Sequence, residues 1–170
     1  MNRNILALVF LLSHLCSATV TTLTQCSGAG GQWARILVSL QNKGPGNIQR
    51  PRVAFDLTVP SGLVPEVQVW DGTSIAATVE RVSATAWTVW LTSSIDLLDG
   101  KTWGDGRGIL FGIHLNDWRN WTAAASPSWS RDSTKLVENT TLRVYDASGR
   151  LISTVVPPIS TKSTFQIQLD

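Results

Sequence analysis

Ala86-Trp87-Thr88-Val89-Trp90-Leu91-Thr92 alternates along its length, with Trp87, Val89 and Leu91 on one side of an extended chain and Thr88, Trp90 and Thr92 on the other. Period two with one apolar side marks an antiparallel strand covering a core. The same pattern recurs upstream. In 35–41 Ile36, Val38 and Leu40 share a side, and in 52–58 Val53, Phe55 and Leu57 do so. No stretch beyond residue 18 places apolar residues at i, i+3, i+4 and i+7 for long enough to make a good helix.

Turn chemistry separates these runs. Gly44-Pro45-Gly46-Asn47, Pro60-Ser61-Gly62, Asp71-Gly72, Asp99-Gly100 and Asp105-Gly106-Arg107-Gly108 fall between them. Ala147-Ser148-Gly149 separates Leu142–Val144 from Leu151-Ile152 and reads as a hairpin turn. Strands at such intervals predict an all-β protein: an antiparallel β-sandwich, jelly-roll-like, in a single domain. Thr164 to Leu169 alternates again, so residues 157–170 read as a C-terminal tail or an edge strand behind a module of residues 19–156.

The first 18 residues stand apart. Asn2-Arg3-Asn4 is basic, Ile5 to Leu12 is unbroken apolar, and Cys16-Ser17-Ala18 offers small residues to a peptidase. That is the form of a signal peptide and predicts a secreted protein. The run is too short to span a bilayer, so no membrane partner is expected.

Charge excludes further classes. Asp, Glu, Lys and Arg make up 15% of the chain and the net charge is +2. The basic residues are scattered, so nucleic acid is not expected as a partner. Removal of Cys16 with the leader leaves Cys26 alone. Two fates are open to it: a free thiol, or a dimer through Cys26. One Cys and one His, His114, do not make a zinc set, so no metal site is expected.

Enzymatic constellations are missing as well. The acidic residues sit mostly in Asp-Gly turns, and Glu66, Glu80 and Glu138 have no motif around them, so no pair of glycosidase carboxylates stands out. No Gly-x-Ser-x-Gly elbow accompanies His114. No catalytic residue is assigned.

Eight tryptophans face one Tyr and, beyond residue 18, three Phe. A sandwich core of this size needs one or two. The surplus points to exposed indoles, whose flat apolar faces match the axial C–H face of a pyranose. Each stacked ring hides roughly 50–100 Å², or about 1–2.5 kcal/mol. Asn116-Asp117-Trp118-Arg119-Asn120-Trp121 is the strongest such segment, with two Trp three apart among small polar residues. Trp118 and Trp121 are the leading candidates for a carbohydrate-binding surface. Asn116 and Arg119 are the candidates for bonding hydroxyls. Trp103, between two Asp-Gly turns, and Trp90, opposite the apolar side of its strand, complete the set. Trp87 reads as core, Trp70 as core or rim, and Trp33 and Trp129 as structural. Asn120-Trp121-Thr122 and Asn139-Thr140-Thr141 match the N-glycosylation pattern, and a glycan on Asn120 would crowd the site.

These residues resemble a known family. Leu40-Gln41-Asn42-Lys43-Gly44, Ile48 and Val53-Ala54-Phe55-Asp56-Leu57 resemble the opening strands of bacterial cellulose-binding modules. Trp87 to Leu91, then Leu97-Leu98-Asp99-Gly100, resembles their later strand and turn. The segment 116–121 is similar to the Asn-Asp-Trp-Ser-Asn-Tyr of family-three modules, and 142–146 with 149–152 to the strand and turn that follow. Family-two modules are a second candidate relative. The likeness runs discontinuously over 34–153. It implies a jelly roll whose flat face carries a strip of aromatic and polar residues for crystalline cellulose, with Trp118 at the strip tryptophan. It also implies a structural calcium, whose site is not assignable. Two features depart from the pattern. Gly72 follows Trp70-Asp71 where the family has an Asp-His pair, and Gly112-Ile113-His114 stands where a strip arginine is expected.

The expected function is therefore a secreted, non-catalytic protein that binds cellulose, chitin or another cell-wall polysaccharide. Two alternatives remain open: an extracellular adhesion or structural subunit with protein partners, and a small hydrolase.

Overall fold

The computed structural model describes residues 19–153, apart from Thr73 and Asp105. The signal-like start and the 157–170 segment lie outside the described residues. The strands are β1 (Val20–Ser27), β2 (Ala34–Asn42), β3 (Arg52–Thr58), β4 (Pro65–Asp71), β5 (Ile75–Arg81), β6 (Ala86–Ser93), β7 (Ile109–Leu115), β8 (Val137–Glu138) and β9 (Arg143–Tyr145). A single 3₁₀ turn at Ala123–Ala125 is the one helical piece among the described residues. Two antiparallel sheets result, in the orders β4-β7-β2-β1-β8 and β5-β6-β3-β9.

The alternating sides point as the sequence predicts. Ile36, Val38 and Leu40 are fully buried, as are Val53, Phe55, Val89 and Leu91, with Leu57 and Trp87 nearly so. Phe55 on β3 meets Phe111 on β7 edge-to-face, with centroids 6.0 Å apart. This pair joins the two sheets at mid-core. The hairpin at 147–149 is present: the Gly149 N–H donates to the Asp146 carbonyl, and Tyr145 pairs with Leu151.

β1 carries no apolar stripe, because its core-facing set is Val20, Thr22, Thr24 and Cys26. Asn139 supplies the missing partners. Its amide nitrogen donates to Thr24 Oγ1 and to the Ser128 carbonyl, both at 2.9 Å, and its backbone N–H donates to the Thr22 carbonyl. Thr22 Oγ1 donates in turn to the Asn139 carbonyl. A buried polar side chain with its bonds made replaces apolar packing here. Asn139 is only 8% exposed and both amide protons are used, so the folded chain offers no glycan acceptor there.

Cys26 is 1% exposed, and burial pushes its thiol up to about 11 despite an opposing N–H donation from Ser130. A dimer through Cys26 needs a surface sulfur, and in this fold the sulfur is buried.

Candidate functional site

Along β7, Ile109, Phe111, Ile113 and Leu115 face the core, which turns Gly112 and His114 to the outside of the five-stranded sheet. Their neighbours in register are Gln68 and Glu66 on β4, and Arg35 on β2 opposite Gly112. Trp70, further along β4, stands on the same outer face and is 36% exposed. Its indole lies across the glycine. A Cβ added to Gly112 would sit 2.3 Å from Trp70 Cζ2 and 2.8 Å from Trp33 Cε3. Absence of a side chain at 112 is what lets both rings approach the sheet so closely. The Arg35 guanidinium sits 5.4 Å from the Trp70 ring centroid, within cation–π range.

Trp33, half-buried just before β2, links this end to the turn after β7. Its ring centre is 5.1 Å from Trp70, 4.5 Å from His114 and 5.5 Å from Trp118. Trp118 lies parallel on His114, with centroids 3.8 Å apart and planes 15° apart. His114 is 7% exposed, and Trp118 is 48% exposed. One indole face is taken by the imidazole, so the exposure that remains belongs to the other face and the rim. His114 Nδ1 is 2.9 Å from the Leu115 carbonyl, which can only accept, so Nδ1 is the donor in this bond. Nε2 faces the Glu66 carboxylate at 3.5 Å.

The turn that presents Trp118 is strained. Trp118 has φ 59°, in the left-handed region that bulky residues avoid at a cost of roughly 1–2 kcal/mol. Two devices hold it. The Trp118 N–H donates to the Leu115 carbonyl, and Asn116 bonds Val64 twice, through its backbone N–H and its side-chain oxygen. Arg119 is tied back to the Asp117 carboxylate through Nε. Asn116 and Arg119, expected to bond hydroxyls, thus shape the turn. Among the described residues the Asn116 amide nitrogen and the outer guanidinium nitrogens make no other hydrogen bond.

The other expected tryptophans are distributed differently. Trp121 is 4% exposed: its backbone pairs with Gly30 and Gly31 in the β1–β2 turn, and its ring enters the core. Trp103 is also 4% exposed, because its loop folds back on β2 through the Leu40 carbonyl. Neither ring has a free face for a sugar, which corrects the expectation for both. Trp90 is half-buried on the outside of the opposite sheet. Its N–H donates to Glu80, Arg52 lies 4.6 Å from its ring centroid, and Tyr145 packs at 5.6 Å. It cannot share a surface with Trp118. Trp87 is core and Trp129 packs against the core.

Trp33 and Trp70 are the residues that sequence reasoning missed. The signal available was the alternation of Trp70 with Val67 and Val69 on β4, and Gly112 as a notch. For calcium, which wants six to eight oxygens, carboxylates among them, no three His, Cys, Asp or Glu side chains gather among the described residues. The described acidic groups do not build that cage.

Comparison with known proteins places this geometry on a known scaffold. No family model and no curated protein matches the sequence. Solved structures do match in fold. The family 3b module of the cellulosomal cellobiohydrolase 9A from Clostridium thermocellum superposes with a TM-score of 0.65 at 14% identity, covering 79% of this chain and 94% of that one. A family 3b carbohydrate-binding module from the biomass-sensing system of Clostridium clariflavum gives 0.66 at 13%, covering 86% and 100%. The CBM3a domain of the Clostridium thermocellum cellulosome scaffoldin gives 0.68 at 15%, covering 81% and 90%. The fold is that of the family 3 carbohydrate-binding modules, a two-sheet jelly-roll sandwich, as the resemblance implied.

Proposed function

We propose that this protein is a secreted, non-catalytic carbohydrate-binding module that holds cellulose or a related insoluble polysaccharide against the outer face of its five-stranded sheet. The observation that carries this is Trp118, half-exposed and lying flat on His114 in a strained turn. A protein that spends backbone strain to display a large apolar ring has a use for the ring. The open face is the right size and polarity for a pyranose, and Trp70, Trp33, Arg35 and Gln68 lie beside it on the same sheet face.

Energetics fit a weak, repeated contact. One stacked ring contributes about 1–2.5 kcal/mol, and association costs at least ~4 kcal/mol, so two or three subsites are needed before binding registers. Likeness to carbohydrate-binding modules supports the reading at the level of fold. The signal-like start supports export.

Pull-down on microcrystalline cellulose, chitin and xylan tests it. Retention on one of these that survives high salt and is lost in Trp118→Gly, with the fold intact, is expected. Retention that ignores Trp118, or none on any glycan, overturns it.

A further inference from the structure

Which physical form of glycan suits this site depends on the tilt of its indoles, granted the stacking role proposed for Trp118. A crystalline polysaccharide offers a flat face, and a strip of rings meets it fully only if the rings share a plane. These do not. Trp33 is tilted 57° to Trp70 and 73° to Trp118, and it stands between them at 5.1 and 5.5 Å. A plane flush with Trp118 meets Trp33 obliquely or on its edge.

The three rings also lie close together, with Trp33 within 5.5 Å of both others. Trp70 lies over Gly112 and Trp118 over His114, two residues apart on β7, a separation of about 7 Å between the backbone positions. Exposed Gln68 and Arg35 flank Gly112 from the two neighbouring strands. Apolar faces at several angles with hydrogen-bonding groups on both sides suit a chain whose ring faces and hydroxyl edges are both accessible. Within a crystal face the edges are occupied by neighbouring chains.

We infer that the site takes a single, unpacked glycan chain running along β7, in disordered polysaccharide or in solution, rather than the flat face of a crystal. Departure from a planar strip is consistent with Gly112 and His114 standing where the related modules are expected to carry other residues.

Calorimetry on the full chain with cellohexaose, alongside chitohexaose and xylohexaose, tests this together with isotherms on microcrystalline and acid-swollen cellulose, chitin and xylan. The expected result is measurable affinity for the hexasaccharide of whichever insoluble glycan is retained, and release from that glycan by the hexasaccharide in competition. Trp118→Gly should weaken hexasaccharide binding roughly tenfold or more. Arg35→Ala, at an exposed position that leaves the core untouched, should weaken it about two- to tenfold. Circular dichroism of both variants separates lost binding from lost folding. Trp118-dependent retention on an insoluble glycan with no affinity for its hexasaccharide overturns the single-chain inference and leaves the stacking role standing. No affinity for any glycan, soluble or insoluble, overturns the proposed function itself.

Discussion

Trp118 and His114 form a two-layer stack, imidazole below and indole above, with centroids 3.8 Å apart and planes 15° apart. His114 belongs to β7 and Trp118 to the turn that follows it, so the sheet itself sets the height and angle of the exposed ring. A loop alone would leave so large a side chain free to swing. The imidazole is anchored in turn by its bond to the Leu115 carbonyl and by Trp33 against its edge.

Trp118→Gly separates display from stability. Glycine adopts φ 59° without strain, and relief of roughly 1–2 kcal/mol offsets part of the lost stacking. The midpoint of urea unfolding should therefore move little, by no more than about 1 kcal/mol equivalent, while glycan retention falls sharply. A large loss of stability would assign the ring to the fold instead.

Gly112→Ala should disturb binding without touching a ligand. The new Cβ would lie 2.3 Å from Trp70 and 2.8 Å from Trp33, so at least one indole must lift off the sheet. Tryptophan fluorescence should shift and glycan affinity should drop by about tenfold, as expected for loss of one stacked ring. Unchanged fluorescence together with unchanged binding would mean that the two rings have no part in the site.

Asn139→Ala tests the polar seam beneath β1. It removes both donors to Thr24 and Ser128 and the acceptor used by Thr141. Buried groups left without partners predict a loss of about 2–4 kcal/mol in denaturant unfolding. A loss under 1 kcal/mol would show that water replaces the amide at little cost.

Cys26 predicts a particular alkaline limb. Its thiol rises from 9.0 to about 11 on folding. Below pH 9 the group is neutral in both states and its contribution is constant. Above that the unfolded chain ionises first and binds fewer protons, so stability falls as pH rises from 9 to about 11, by on the order of 2 kcal/mol. Cys26→Ala should flatten this part of the melting-temperature profile. The native thiol should also resist iodoacetamide at pH 8 and react once the chain is unfolded. Rapid native labelling would contradict the burial.

Much of the sandwich was legible because its central strands, β2, β3, β6 and β7, are long and alternate cleanly. Those at 35–41, 52–58 and 86–92 were expected within a residue or two of where they lie. β1 and β5 were not anticipated. β1 turns threonines to the core, which hides its period, and those threonines are tolerated only because Asn139, more than a hundred residues away, bonds them. β5 is an edge strand, Ile75–Arg81, whose core face is Ile75, Ala77 and Val79, too modest a stripe to stand out.

The candidate site was legible in kind and only partly in membership. Composition alone required indoles to be displayed, and Trp118 is displayed. Trp121, with nearly the same sequence neighbourhood, is buried because the β1–β2 turn lies against it. Trp33, read as structural, is drawn outward beside a glycine on another strand.

Period-two alternation is a local property, written into each strand by residues two apart, and it was enough to establish an antiparallel sandwich before any contact was known. Exposure of a tryptophan is not local. It depends on which strand is its neighbour and on whether that strand offers a gap, as Gly112 does, or a wall, as Gly30 and Gly31 do for Trp121, and those adjacencies exist only once the chain has closed its two sheets.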